Sequence, residues 1–176
     1  MQPVAFYRLI TMDTSDLLSQ LLSCLKELEI RFCVIGGQAV NAYAEPLVSL
    51  DLDLVIAADQ LALAESALAG RFSLKHEPHS LNVSLTGSAL RVQIQTDPRY
   101  FPFVARAEPD RDVLGNRLPV ARKEDVLQGK LWAYADASRR PSKRQKDLAD
   151  ILRLVEAHPR LLDHLPAALR QKAAGN

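Results

Sequence analysis

The chain has 176 residues, of which 48% are hydrophobic and 24% charged, and its formal net charge is +1. This is the make-up of an ordinary soluble globular protein with one well-buried domain and room for a small helical annex. So small a net charge excludes a strong global field, and a nucleic-acid partner would have to be met by a local patch.

No apolar run approaches the roughly 18 residues of a membrane span, so no membrane partner is expected. Met1–Asp13 shows no apolar stretch followed by a small-residue cleavage site, which argues against a secretion signal. Residues 1–12 read as a loose arm. From Thr14 to Glu29, Leu17, Leu18, Leu21, Leu22, Leu25 and Leu28 recur with a helical period, and Asp13 or Thr14 is placed to cap the helix. Phe32–Ile35 is a short apolar run that ends at Gly36-Gly37, as expected of a strand buried on both faces. Cys24 and Cys33 fall within these two patterns without metal-ligand spacing. They read as buried, reduced thiols of a cytoplasmic protein.

Gln38–Tyr43 suits a short helix broken by Pro46. In the next strand, Leu50–Ala57, the residues Leu50, Leu52, Leu54 and Ile56 face the core. Asp51 and Asp53 then stand side by side on the other face. Asp59 is placed to cap an Ala/Leu-rich helix that stops at Gly70. Phe72–His76, Leu81–Thr86 and Leu90–Thr96 read as three strands, the last with Arg91, Gln93 and Gln95 on a polar face. Residues 97–120 hold four of the ten prolines and read as a connection with a short strand or turn around Val113–Val120.

A helix over Lys123–Ala135 has Val126, Leu127, Leu131 and Tyr134 on one stripe. Ser142 is placed to cap a second, through Ala157, with a stripe of Leu148, Ile151, Leu152 and Val155. Pro159 ends it, and Leu161–Leu169 reads as a last short helix. The expected fold class is α+β: a small mixed β-sheet flanked by helices, with a C-terminal helical part. Residues 1–120 would form the core and 121–176 the helices packed on it, as one compact unit.

Two carboxylates at i and i+2 on a strand lie roughly 6–7 Å apart. At an effective dielectric near 20 they repel by roughly 2–3 kcal/mol, which water, a basic partner or a cation must offset. Magnesium takes one or two carboxylates together with phosphate oxygens and waters. Asp-x-Asp alone is more often a solvated polar face, and Gly-Gly alone a tight turn. Strand, Gly-Gly, short helix and Asp-x-Asp strand within about 25 residues is a far more specific pattern, and suits a metal-bound nucleoside triphosphate.

Three further features bear on chemistry. Lys130 borders the apolar stripe of its helix, where a lysine either snorkels outward or reaches a phosphate. Lys146 and Asp150 have the spacing of an i,i+4 ion pair. Arg139, Arg140, Lys143, Arg144 and Lys146 put five cations in eight residues, either a solvated run or a contact to a phosphate backbone. The four histidines are scattered, so Ser/His/Asp and Cys/His catalysis find no support.

On Gly36-Gly37, Asp51 and Asp53, the chain resembles the nucleotidyltransferase superfamily, with its polymerase-β-like fold. Within it the chain looks closest to the minimal, AbiEii-type toxin branch of bacterial toxin–antitoxin and abortive-infection systems. The resemblance covers roughly residues 30–97. It implies that Gly36 and Gly37, bordered by Gln93 and Gln95, hold the triphosphate and that Asp51 and Asp53 hold Mg2+. Gly129-Lys130 and Lys146-Asp147-Leu148-Ala149-Asp150 resemble the lysine and Lys-Asp-x-x-Asp elements of that branch. By that likeness Lys130 contacts phosphate, and Asp147 orients it or acts near the attacking hydroxyl.

Three departures stand out. Gly37 replaces a common serine, and Leu47 and Ser49 replace an Arg-x-Thr. The third carboxylate of the family should fall on Arg91–Thr96, where Gln93 and Gln95 take the cleft-facing positions and Asp97 lies just beyond. A glutamine can ligate through its carbonyl but cannot act as a base. The resemblance implies transfer of a nucleoside monophosphate from a nucleoside triphosphate to a hydroxyl on tRNA-like RNA or on protein, in a toxin with an antitoxin partner. The alternative is a catalytically weak nucleotide- or RNA-binding module. A structural domain without ligand is the plainest reading.

Overall fold

The computed structural model describes residues 16–173. The N-terminal arm and the caps expected at Asp13 or Thr14 lie outside them. The helices are α1 (Leu17–Glu27), α2 (Gly36–Asn41), α3 (Leu61–Ala69), α4 (Pro102–Ala105), α5 (Lys123–Ala135), α6 (Pro141–Ala157) and α7 (Ala167–Ala173). The strands are β1 (Phe32–Ile35), β2 (Asp51–Ile56), β3 (Ser73–Glu77), β4 (Ser80–Ser84), β5 (Arg91–Gln95), β6 (Glu108–Val113) and β7 (Asn116–Val120).

All of these strands join one mixed sheet in the order β3-β4-β5-β2-β1-β7-β6. The expected fold class is thus the observed one. β1 runs antiparallel to β2, and β2 runs parallel to β5, so Asp51 faces Arg91 and Asp53 faces Gln93. Period-two alternation holds along β2: Leu52, Leu54 and Ile56 are fully buried while Asp51 and Asp53 look the other way, part-exposed. β1 lies inside the sheet, and Cys33 and Val34 have no exposed surface. Burial also pushes the Cys33 thiol up to about 12, so it stays protonated. Among the described residues no helix is long and apolar enough to cross a membrane.

Where sequence and structure part, the reasons are local. Residues 97–120 are no mere connection. They form a 3-10 turn (Pro98–Tyr100), α4 and the β6–β7 hairpin, which extends the sheet beside β1. The hairpin turns at Leu114-Gly115, both with positive φ, and leucine there is no turn signal. Its Pro109 sits in a register shift between Glu108 and Arg111, where no ladder donor is needed.

α1 ends before Leu28, which is exposed. Asp59 opens a 3-10 turn and pairs with Arg31 at 2.6 Å instead of capping α3. Ser142 lies inside the first turn of α6, which starts at Pro141, where a missing N–H costs nothing. The buried stripe of α6 is rotated toward Asp147 and Asp150, with Leu148 and Leu152 only half-buried. Pro166 splits the last helix into a 3-10 turn (Pro159–His164) and α7.

At Gly36 the backbone reverses with φ +67, and a Cβ there would lie 2.1 Å from Asp53 Oδ2. The Asp53 carboxylate therefore rests against the bare α-carbon of the strand-to-helix turn. Only glycine satisfies both the conformation and the contact. At Gly37 the nearest atom to such a Cβ is Ser49 Oγ at 4.0 Å, which leaves room. Gly36→Ala should therefore destabilise the fold by more than about 1 kcal/mol in denaturant melts. Gly37→Ala should leave the midpoint nearly unchanged.

Candidate active site

A cleft of about 460 Å³ opens where the Asp51–Asp53 face of the sheet meets α5 and α6. Gly37, Asp51, Asp53, Gln93, Lys130 and Asp147 all line it. A smaller hollow of about 160 Å³ shares Asp53, Gln93, Lys130 and Asp147, and adds Gly36, Gln95 and Tyr100. Every residue that the sequence singled out for the site thus lies on one wall or the other, from five separate elements. A larger hollow of about 740 Å³, between residues 46–49 and the β6–β7 hairpin, touches the cleft only at Ser49. Its arginines are already matched, Arg111 with Glu108 and Arg117 with Asp110. The acids and lysines of interest lie in the cleft.

The carboxylate pair is under electrostatic load. Desolvation raises the Asp53 carboxyl from 3.8 to about 6, and neighbouring Asp51 adds to the rise. Lys130, Lys146 and Arg139 pull the other way. Asp51 is relieved by Arg91, its cross-strand neighbour, whose Nε lies 2.6 Å from Asp51 Oδ1. Arg91 was visible in sequence only as part of an alternating strand. Such a pair of neighbouring carboxylates could hold a divalent ion that also takes oxygens from a ligand.

Cations dominate the rest of the wall. Lys130 is nearly buried, with Nζ 3.2 Å from Asp147 Oδ1 and 2.7 Å from Asp150 Oδ2, the latter an ion pair without hydrogen-bond alignment. It does not snorkel outward. Arg139 reaches Asp147 Oδ2 at 2.6 Å. Lys143 and Lys146 border the same cleft. The basic stretch is therefore divided: Arg139, Lys143 and Lys146 face the cleft, while Arg144 donates to the Tyr134 carbonyl and lies over its ring. The i,i+4 pair expected between Lys146 and Asp150 is not the one formed. Asp150 turns inward to Lys130 and Arg153, because α6 presents its acids to the buried α5 lysine.

Among the described residues no group of three or more His, Cys, Asp or Glu is placed to hold a metal ion. Gln93 stands opposite Asp53 and donates from Nε2 to Ser80 Oγ at 2.7 Å. The Gln95 side chain accepts from the Asp97 N–H at 3.0 Å. Asp97 lines neither hollow. It caps the 3-10 turn through the Arg99 N–H and takes two bonds from the Arg99 guanidinium, which hold its carboxyl below the usual range. The substitution of Asp97 for the missing acid is therefore excluded in this structure.

No family model matches the chain, and no curated protein matches it. Solved structures do resemble it. The antibiotic-resistance factor ANT(2'')-Ia superposes with a TM-score of 0.60 at 13% identity, over 93% of this chain and 95% of that one. The lincosamide antibiotic adenylyltransferase LnuA, lincomycin-bound, gives 0.53 at 12%, over 78% of this chain and 95% of that one. An antigenic nucleotidyltransferase-like protein from Paracoccidioides brasiliensis gives 0.55 at 20%, over 93% and 86%. At such identities the likeness speaks for architecture, and the architecture is the nucleotidyltransferase-like fold.

Proposed function

We propose that this protein is a magnesium-dependent nucleotidyltransferase. A hydroxyl oxygen attacks the α-phosphorus of a nucleoside triphosphate and gives up its proton to solvent, the bond to the bridging oxygen breaks, and pyrophosphate leaves with that electron pair. The observation that supports this best is one cleft holding the Asp51–Asp53 pair beside Lys130, Arg139, Lys143 and Lys146. Magnesium on Asp51 and Asp53 would screen the phosphate charge and polarise the α-phosphate. Lys130 and the α6 cations neutralise the charge that moves onto the leaving pyrophosphate. Gly37, without a side chain, lets the backbone come close to phosphate. Asp147 holds Lys130 and Arg139 in place.

The acceptor is a hydroxyl on tRNA-like RNA or on protein, and the finer reading is a toxin of a toxin–antitoxin pair. One solved neighbour, ANT(2'')-Ia, is in complex with adenylyl-2''-tobramycin, which makes a small-molecule hydroxyl a further arm of the test. A second reading has its own support. Gln93 supplies an amide where an acid would complete the metal site, as in a module that binds nucleotide without efficient transfer.

Incubation with each α-labelled triphosphate, magnesium and total RNA, cell protein or tobramycin should label one acceptor. Asp51→Asn should reduce that labelling by at least about a hundredfold. Triphosphate-dependent thermal stabilisation without label in any arm would favour the binding module. A toxin role predicts that induced expression arrests growth and that Asp51→Asn does not.

Asp53 sets a pH dependence. Its folded value of about 6 lies above the ordinary 3.8, so ionising it opposes folding. That cost is absent well below pH 3.8 and complete above about 6. Asp53→Asn should raise the thermal midpoint at pH 8, with the gap to wild type closing as the pH falls toward 4. Magnesium-triphosphate affinity of the wild type should fall as Asp53 takes its proton below about pH 6.

A further inference from the structure

The segment between α2 and β2 carries Ser49 to the cleft and delivers Asp51, yet it has no regular structure of its own. Arg111 and His158 bind the Ala42 and Tyr43 carbonyls near its start, and three side chains hold its 45–49 stretch. Asn41 grips Leu47 with both ends of its amide, Nδ2 donating to the Leu47 carbonyl at 2.7 Å and Oδ1 accepting from the Leu47 N–H at 3.0 Å. Gln38, almost fully buried at the α2 end of the same loop, donates to the Ser49 carbonyl at 3.0 Å. The third comes from far along the chain. Arg153 on α6 donates from one terminal nitrogen to Asn41 Oδ1 at 2.9 Å and to the Glu45 carbonyl, and from the other to Asp150 Oδ1 at 2.8 Å.

Asp150 also takes Lys130, and Lys130 takes Asp147, whose second oxygen holds Arg139. An unbroken row of charge contacts thus runs from the cleft wall, through the interior of the α5–α6 pair, to the loop that precedes Asp51. Asp147 and Asp150 are 1% and 2% exposed and Lys130 8%, so solvent screens little of it. Arg153 lines none of the three hollows and touches no cleft acid. Its guanidinium carries the row from α6 to the 45–49 loop, while His158 at the end of α6 reaches the same segment only at the Tyr43 carbonyl, and a planar fork with several donors is what such a bridge needs.

We infer that Arg153 is a positioning residue for the cleft: it fixes the 45–49 loop against α6, and so sets where Ser49 and Asp51 stand. The assignment rests on the nucleotide-binding reading of the cleft only for its second half. The loop contact is a property of the free protein. Without Arg153 the Glu45 carbonyl loses its partner, Asn41 loses one of two bonds at Oδ1, and Asp150 keeps only Lys130. A loop loosened by an ångström is enough to cost a metal–phosphate site ten- to a hundredfold on an order-of-magnitude scale.

The test uses Arg153→Ala and Arg153→Lys in the full chain, with two readouts. Amide exchange without ligand is the first. In Arg153→Ala the Leu47 N–H, which donates to Asn41, should exchange on the order of tenfold faster, while Val34 in β1 and Leu154 in α6 should not change. Arg153→Lys, which keeps the charge but not the fork, should recover part of the protection. Affinity for magnesium with each of ATP, GTP, CTP and UTP is the second. The best-bound triphosphate should lose about tenfold or more in Arg153→Ala and less in Arg153→Lys.

Unchanged Leu47 exchange overturns the proposal. So does faster exchange across α6 as a whole, which would make Arg153 a support of the helix. Loosened Leu47 with unchanged triphosphate affinity overturns the link to the cleft. If the wild type binds no magnesium triphosphate, the nucleotide reading itself fails, and the Leu47 exchange alone decides whether Arg153 fixes the loop.

Discussion

The contact between the Asp53 carboxylate and the bare α-carbon of Gly36 governs the rest of the site. It joins β1, β2, the turn and the start of α2 at one point. Because Gly36 gives up its side chain and takes a left-handed backbone, Asp53 can sit within the fold and still look into the cleft. Its proton affinity rises as a result, since water is excluded from one side and Asp51 stands on the other. The surrounding cations answer that charge. The cleft thus gathers charge of both signs in a small volume.

The helical part answers the sheet in kind. Lys130 is buried among Asp147 and Asp150, and both acids are in turn matched by arginines. Such a cluster gains little net stability over an apolar packing, because desolvating each ion offsets most of the attraction. What it gives is geometry. Within the cluster each charge has a partner, so Lys130 and Arg139 are held at fixed places on the cleft wall.

Much of this was legible in the sequence because it depends on local period. The alternation in β2 places two aspartates on one face whatever the tertiary context, and Gly-Gly after an apolar run marks the turn. The grouping of Gly37, Asp51, Asp53, Gln93, Lys130 and Asp147 followed from the family likeness, and these residues line one cleft. What escaped was set by partners far apart in sequence. Asp150 spends its charge on Lys130 and not on Lys146, a choice made by the α5–α6 packing. Arg91 has no signature beyond its place on the polar face, and Arg153 none beyond its i,i+3 spacing from Asp150. The β6–β7 hairpin hid behind two prolines and a leucine with positive φ.

The amide at Gln93 has a consequence for how this fold can change over time. Its backbone is already in register with Asp53, and its side chain is anchored to Ser80. A single base change turns a glutamine codon into glutamate, so the empty place in the carboxylate set is adjacent in mutational space. An added acid there would meet a pair already strained by mutual repulsion, and the free protein would lose stability until a cation arrived. The neutral amide keeps the unliganded cleft tolerable, and a lineage could trade that tolerance for a more charged, more demanding centre without altering the scaffold.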